Sequence, residues 1–307
     1  MLLNDGFSGL GLHDVFGKWL EEQQARVDSG LKKISSLKTD LNGLRHVMDY
    51  FKNEDMAKID ASRIEAYQMH RLAIGQRRVS VNTECRKLKA LLNWTHNKRL
   101  IPSVPTVRVL EEPPVNTEVP QENEMLLILA ELPFSQGLLT RLMVETGLRP
   151  SEAYTLHWDV IDFDRRTLMV GNVDENTPKT MHSYRSVAFG EGLAKDLAQQ
   201  KRATNSEWVF PNRDTGDKPM DNYRRSLKSA VKRSGVKRYG KPIKFTPKYC
   251  RKAYTSYQYL RGIPLSTIKQ LVGHSPSSKV TETHYLHIPE STRRSAVLEL
   301  GEAGFSK

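Results

Sequence analysis

Five prolines fall within residues 102–120, PSVPTVRVLEEPPVNTEVP, a stretch with no helical period and few large apolar side chains. Because proline fixes φ and lacks a backbone N–H, such a stretch is semi-extended and interrupts regular structure. A chain of 307 residues is also more typical of two domains than of one. We therefore predict a linker over residues 103–120 between a first domain, residues 12–102, and a second domain, residues 121–307.

The segment before the predicted linker has the apolar spacing of four helices. Apolar residues recur at intervals of three and four, as one face of a helix requires, and turn-forming residues interrupt the series. The four series begin at Leu12, at Ile34, at Ala61 and near Ser80. We predict a compact four-helix domain with Trp19 and Trp94 in its core, preceded by a flexible, glycine-rich segment over residues 1–11.

The segment after the predicted linker mixes strand and helix patterns. Apolar and polar residues alternate over residues 159–164, 167–170 and 184–189, among turn-forming Asp, Asn, Gly and Pro residues. Helical spacing lies on both sides of these stretches, over residues 121–132, 136–146, 193–203 and 222–234. We therefore predict a mainly α protein with a small antiparallel β-sheet, in which the second domain is α+β.

The charge of the chain favours a polyanionic partner. The formal net charge is +12, and the 47 Lys and Arg residues are spread among apolar positions. Nucleic acid is therefore the leading partner. An acidic membrane surface is the competing one, but no apolar run approaches 18 residues and neither a signal peptide nor a lipidation motif is found. We expect a soluble, intracellular protein.

Basic residues around the third connection and the fourth helix are candidate DNA contacts. They are Arg71, Arg77, Arg78, Arg86, Lys87 and Lys89. A solvated helix face has the same composition, so the preference for phosphate contact depends on the total charge and on the motifs of the second domain.

The two cysteines do not predict a cross-link or a metal site. Cys85 and Cys250 lie in different parts of the chain and lack CxxC or metal-ligand spacing. We expect no structural metal, and we expect Cys250 to be a small buried packing residue.

A phosphate site is predicted within the stretch from Phe245 to Tyr285. Thr246 and Pro247 have the types found at a helix start, Gly262 is placed to end that helix, and a second helix is predicted between Pro264 and Gly273. Lys248 and Arg251 are three residues apart, so they share a face near the start of the first helix, where backbone N–H groups also attract anions. His274 and Tyr285 follow the second helix.

A second group of polar residues precedes that stretch. Gly147 is placed to end one helix and Pro150 to start another, which leaves Arg149 at the corner between them. Glu152 lies at the start of the second of these helices, where its charge suits the helix dipole and where it can brace Arg149. Lys179 lies in the loop before the last predicted strand. His182 follows three residues later and is a second candidate for the same role.

These segments together resemble the tyrosine recombinases, a family that includes phage and transposon integrases. The resemblance covers both predicted domains and is carried by TGLRPSEAYTLHW, by Lys179 before a strand, and by TPKYCRKAYTS, VGHS and THYLH. By resemblance, the catalytic residues are Arg149, Lys179, Lys248, Arg251, His274 and the nucleophile Tyr285, and Glu152 is a supporting carboxylate.

The resemblance also implies an architecture and an assembly. Residues 12–102 would form a SAM-like core-binding domain, and residues 121–307 a catalytic domain with a C-terminal tail over about 286–307. The implied function is that of an integrase, a site-specific DNA recombinase that exchanges strands through a Holliday junction in a homotetramer. The tail would dock on a neighbouring subunit. A cytoplasmic, nucleoid-associated protein of bacterial or phage origin is implied, in a phage, transposon or chromosomal system.

The residue types fit this chemistry. Two arginines can hold the non-bridging oxygens of a phosphodiester with paired N–H donors, and Arg149 and Arg251 fit that role. A tyrosine hydroxyl with a pKa near 10 needs a base or an electropositive setting to become a nucleophile. Lys179 can protonate the departing 5′ hydroxyl if nearby cations lower its pKa. The product would be a covalent 3′-phosphotyrosine that conserves bond energy, so neither metal nor nucleotide cofactor is required.

One position departs from the family pattern and leaves alternatives open. Lys248 stands where the family usually has histidine, and a charged lysine is not a base, so the group that accepts the tyrosine proton is open. A type IB topoisomerase uses similar chemistry but religates the same strand, and it would relax plasmids without recombinant product. A non-cleaving DNA-binding protein derived from a recombinase would bind tightly and salt-sensitively without any adduct.

Overall fold

The computed structural model describes residues 9–113, 119–171, 184–212 and 214–275. The chain divides into two compact units, Met1–Val115 and Asn116–Lys307. None of the helices in the described ranges combines the length and the apolar composition of a membrane span.

The first unit contains the four predicted α-helices. They are α1 Leu12–Asp28, α2 Ile34–Phe51, α3 Ala61–Ala73 and α4 Arg78–Asn97. The predicted apolar faces meet in one core, in which Trp19 is buried and Trp94 is partly buried. The Asp60 side chain accepts a hydrogen bond from the Arg63 N–H at 2.8 Å and so caps the start of α3.

Arg71 lies inside the first unit and not on the DNA-facing surface that the sequence predicts. Its Nε and Nη2 donate to the two Glu84 carboxylate oxygens at 3.0 and 2.8 Å, and the Tyr67 hydroxyl donates to the same carboxylate at 2.7 Å. Burial raises the pKa of the Glu84 carboxyl, but the hydrogen bonds from Arg71 and Tyr67 outweigh it and hold that pKa below its usual range. Arg71 is therefore corrected from a DNA contact to a partner of a buried carboxylate.

Removing this partner is expected to destabilise the first unit. An Arg71→Met substitution leaves the Glu84 charge buried without its guanidinium, and breaking a buried ion pair in this way costs about 3–5 kcal/mol. Hydrogen exchange of the α3 and α4 amides measures the change in free energy of opening. Lys89→Met on the exposed face of α4 is the control, and an equal effect of the two substitutions would contradict the prediction.

The first part of the predicted linker packs on the first unit. Both buried side-chain amides of α3 and α4 hold it: Gln68 donates to the Arg108 carbonyl at 2.7 Å, and Asn82 bonds the Leu110 N–H and C=O at 2.8 Å each. At its other end, Val119 is buried in the core of the second unit. The predicted linker over 103–120 is therefore too long, because both of its ends pack on the units that it connects. The proline-rich segment cannot make main-chain hydrogen bonds within itself, and side chains of α3 and α4 supply them.

The second unit is α+β, which confirms the predicted fold class of a mainly α chain with a small antiparallel sheet. In the part of this unit that the structure describes, the helices are α5 Glu122–Ala130, α6 Phe134–Thr146, α7 Pro150–Tyr154, α8 Glu191–Ala203, α9 Arg224–Arg233, α10 Pro247–Leu260 and α11 Leu265–Val272. The core lies where α6 and α10 pack together.

The predicted sheet is present, with its three strands in the order β1-β2-β3, all antiparallel. The strands are β1 Ile161–Asp162, β2 Thr167–Val170 and β3 Arg185–Ala188. Leu168 pairs with Val187, and both face the core as their alternation predicts. A further hairpin, β4 Lys237–Arg238 and β5 Lys241–Pro242, was not predicted because two-residue strands leave no alternation to detect.

The two cysteines lie one in each unit, and both are buried. Cys85 on α4 is 2% exposed and Cys250 on α10 is fully buried. Burial raises the pKa of both thiols. Both therefore remain protonated packing residues at neutral pH, as predicted for Cys250.

Candidate active site

The corner between α6 and α7 positions Arg149. Gly147 ends α6 in the left-handed conformation, with φ 68° and ψ 16°, and a Cβ there would lie 2.5 Å from the Tyr254 ring. Arg149 follows as the residue that precedes α7, and its backbone N–H donates to Glu152 Oε2 at 2.8 Å. The predicted helix break is present, and glycine is required there by both conformation and space.

Two helix ends position Arg251 and His274. The helix α10 begins at Pro247, as predicted, and ends at Leu260, two residues before Gly262. The helix α11 ends at Val272, and Gly273 follows it with a φ of 66° and a ψ of 48°, which are again left-handed. The turn at Gly273 places His274 directly after the helix, and the His274 backbone N–H donates to the Lys269 carbonyl at 2.9 Å.

Arg251 joins the ends of α6 and α11. Its Nη1 donates to the Gly147 carbonyl at 2.8 Å, its Nη2 donates to the Val272 carbonyl, and the residue is only 2% exposed. Carbonyls at helix ends have no partner within the helix, so a planar guanidinium that bonds two of them fixes both ends together. Lys248, three residues earlier on α10, is exposed, whereas Arg251 is buried.

Glu152 lies between two arginines. It accepts from Arg149 Nη1 at 2.6 Å on one side and from Arg185 Nη2 at 2.9 Å on the other. Burial raises the pKa of the Glu152 carboxyl, but the hydrogen bond and charge of Arg185, followed by those of Arg149, outweigh it and lower that pKa. Glu152 is therefore an ionised carboxylate in a largely buried position, and it braces Arg149 as predicted.

The second arginine on the Glu152 carboxylate, Arg185, was not predicted from the sequence as a site residue. Arg185 begins β3, and its side chain is 8% exposed. The only sequence signal is its place in an alternating strand, where every second side chain points inward, and a charged residue at such a position needs a buried partner.

His274 is a neutral imidazole at neutral pH. Burial, followed by the nearby positive charges of Arg251, Arg149, Arg185 and Lys269, lowers the pKa of His274 to about 4. The Arg149 Nη2 also donates to the Gly273 carbonyl at 3.3 Å, one residue before the histidine. The turns at Gly147 and Gly273 thus bring together Arg149, Arg251 and His274. Arg149 and Gly273, which are in contact, are 124 residues apart in the sequence.

Several predicted site residues lie outside the described ranges. These are Lys179, the alternative His182, the predicted nucleophile Tyr285 and the tail over 286–307. Their roles remain predictions.

Five of the six candidate DNA contacts lie on or next to α4. Arg77, Arg78, Arg86 and Lys89 are exposed, while Lys87 is partly covered and pairs with Asp40 at 2.6 Å. Arg86 lies 3.4 Å from Glu112, and Arg78 donates to the Glu111 carbonyl at 3.0 Å. We call these five residues the basic strip, and all of them except Lys87 are accessible to solvent.

The arrangement can bind an oxyanion. Two guanidinium groups and a histidine lie together at the ends of α6 and α11, and burial together with the nearby positive charge keeps the His274 ring unprotonated. Charge-assisted hydrogen bonds from guanidinium to phosphate are among the strongest in proteins. Such a site stabilises the negative charge that develops on phosphate oxygens during transfer.

A helical unit followed by an α+β unit is the order of domains that the resemblance to tyrosine recombinases implies. Residues 117–291, more than half of the chain, match the phage integrase family. The chain belongs to that family, whose members carry out site-specific DNA recombination.

Named relatives and solved structures agree with this assignment. The chain is 25% identical to the tyrosine recombinase XerD of Agrobacterium fabrum over 302 residues, which cover 89% of each chain. A lambda integrase dimer bound to a COC′ core site superposes with a TM-score of 0.73 at 17% identity, over 95% of this chain and 99% of that one. A lambda integrase tetramer bound to a Holliday junction gives a TM-score of 0.71 at 17% identity, over 90% of this chain and 78% of that one. At this identity the two superpositions establish a common fold.

Proposed function

We propose that this chain is a site-specific DNA recombinase that cleaves and rejoins DNA through a covalent 3′-phosphotyrosine bond to Tyr285. The observation that carries the proposal is the convergence of Arg149, Arg251 and His274 at the ends of α6 and α11. Three groups suited to a phosphodiester meet there, although they come from distant parts of the sequence.

The arginines would bind the scissile phosphate. Arg149 has a side chain that is 35% exposed, so part of its fork faces solvent while Glu152 and the Gly273 carbonyl hold the rest. Arg251 lies deeper and holds the two turns that carry the site. As the tyrosine oxygen attacks phosphorus, charge grows on the non-bridging oxygens, and fixed cations stabilise that charge without reorganisation.

The proton transfers follow from the charge states. The Tyr285 phenol loses its proton as its oxygen bonds to phosphorus, and the bond from phosphorus to the 5′ oxygen breaks. His274 is neutral and can accept the phenolic proton, whereas the exposed Lys248 is better suited to a phosphate contact. A bound phosphate places negative charge beside His274 and raises the histidine pKa from about 4 toward the working range. Lys179 would protonate the departing 5′ oxygen, and reversal of these steps rejoins DNA without a metal or nucleotide cofactor.

Double-stranded DNA and further copies of the chain are the proposed partners. The basic strip of Arg77, Arg78, Arg86, Lys87 and Lys89 would contact DNA phosphates, and Arg71 is left out because it is buried. The lambda integrase tetramer on a Holliday junction supports a tetramer as the working assembly. In such a tetramer the tail over 286–307 would dock on a neighbouring subunit. A cytoplasmic, nucleoid-associated protein follows from this partner.

The proposal is tested by trapping the covalent intermediate. A nicked duplex of the core site, found by footprinting, loses a short 5′ fragment after cleavage and so cannot be rejoined. We expect a DNA adduct that survives denaturation, and digestion followed by mass spectrometry should place the modification on the peptide that contains Tyr285. Tight, salt-sensitive binding with no adduct would overturn the proposal in favour of a non-cleaving protein, and plasmid relaxation without recombinants would favour a topoisomerase.

A further inference from the structure

We propose that Arg185 is a positioning residue for DNA cleavage, which holds Glu152 in place and ties it to the end of α11. The proposal rests on the proposed cleavage function. It assigns a role to Arg185, a largely buried residue of the β-sheet. The other described site residues lie on helices or at their ends.

The contacts of Arg185 link three elements of the second unit. From the start of β3, its Nη2 donates to Glu152 Oε2 at 2.9 Å, and its Nη1 lies 3.5 Å from Oε1. Its Nε donates to the Leu271 carbonyl at 3.0 Å, in the last turn of α11. One guanidinium therefore connects the sheet, the helix that begins after Arg149 and the helix that ends before His274.

The role is positioning, because protein covers the Arg185 side chain. Only 8% of it is exposed, against 35% for Arg149, so of these two arginines it is Arg149 that can face a substrate. Arg149 in turn depends on Glu152, which binds both its Nη1 at 2.6 Å and its backbone N–H at 2.8 Å. Whatever orients the Glu152 carboxylate therefore orients the phosphate-facing guanidinium.

Charge and geometry contribute separately to this role. Glutamine at position 185 removes the charge and leaves a buried carboxylate with one cation in place of two. Lysine keeps the charge but has no planar fork, so it cannot bond Glu152 and the Leu271 carbonyl in the same way. Because a misplacement of about 1 Å can reduce a rate about 10²-fold, both variants are expected to cleave slowly.

His274 provides a readout that does not depend on cleavage. The charged groups that face it are Arg251, Arg149, Arg185 and Lys269, from α10, the α6–α7 corner, β3 and α11. Loss of the Arg185 charge should raise the His274 pKa, since one of four repelling cations is gone. The lysine variant should leave that pKa near its wild-type value. The chain has nine histidines, so a His274→Gln variant assigns the ring signal in NMR spectra.

The experiment compares Arg185→Gln and Arg185→Lys with the matched control Arg238→Gln. Arg238 also bonds a carboxylate with both nitrogens, at 2.7 and 2.6 Å to Glu124, but on the separate β4–β5 hairpin. Single-turnover adduct formation at saturating protein, DNA affinity, thermal unfolding and the His274 titration are measured. We expect a rate about 10²-fold lower for both Arg185 variants, unchanged DNA affinity, and a raised His274 pKa in the glutamine variant alone. The control should cleave and titrate as the wild type does.

Two results would overturn the proposal. One is wild-type cleavage by Arg185→Gln, and the other is a loss of rate matched by equal losses of DNA affinity and folded protein. If the wild-type chain itself forms no adduct, the cleavage function fails, and the His274 titration in the free protein then decides alone: an unshifted titration in Arg185→Gln would show that Arg185 does not act on the site.

Discussion

Replacing Tyr285 by phenylalanine is expected to abolish the covalent DNA adduct, with a loss of more than about 10³-fold in the rate of cleavage. The substitution removes one oxygen atom, and that oxygen is the proposed nucleophile. Binding should persist, because Arg149, Arg251 and the basic strip on α4 are unchanged. Labelled nicked substrate, saturated with protein and separated on a denaturing gel, measures the adduct, and a mobility shift under native conditions measures binding.

The chain has eleven tyrosines, so the control is a second Tyr→Phe substitution. Tyr259, near the end of α10, is 40% exposed and lies outside the site. The Tyr259→Phe variant should form the adduct at the wild-type rate. An adduct that persists in Tyr285→Phe would place the nucleophile on another residue and would remove the basis of the proposed mechanism.

An Arg251→Lys substitution is expected to lower the rate of adduct formation by about 10²- to 10³-fold, the usual cost of losing one fixed donor to a developing oxyanion. The positive charge is retained, but one ammonium cannot reproduce the fork that bonds the Gly147 and Val272 carbonyls. The ends of α6 and α11 would no longer be fixed together, so the thermal midpoint of the second unit should also fall. Rates are compared at saturating DNA, so that weaker binding does not enter the comparison.

The matched control for this change is Arg261→Lys, directly after the end of the same helix. Arg261 follows the last residue of α10, is 57% exposed, and pairs with Glu122 at 2.9 Å. Exposed ion pairs contribute about 0–1 kcal/mol, so this variant should cleave and unfold as the wild type does. Equal rates for the two variants would show that the fork of Arg251 has no role in cleavage.

Features determined by local sequence were predictable. Gly147 and Gly273 end helices in the left-handed conformation, and Pro150 and Pro247 begin helices, because these preferences depend on the residue itself and on its neighbours. The apolar period located the four helices of the first unit, since one face of each helix is buried.

Features determined by distant contacts were not predictable from the residues alone. Arg185 joins Leu271, which lies 86 residues later, and no local pattern indicates such a pair. Arg71 has the same residue type as the exposed Arg77, and only the position of Glu84 on the facing helix turns it inward. The linker prediction was too long for the same reason. The buried amides of Gln68 and Asn82 hold the proline-rich segment, and their partners lie 40 and 28 residues away in the sequence.

One buried thiol lies in each unit, so the rate at which each thiol reacts can measure how often the surrounding unit opens. A modifying reagent reacts with a thiolate and needs access to the sulfur, so Cys85 and Cys250 can be labelled only after the surrounding helices separate. The two labelling rates therefore report the local opening of the two units independently. Because Cys250 is adjacent to Arg251, a change confined to the labelling of Cys250 would locate the opening event at the helix that carries Arg251.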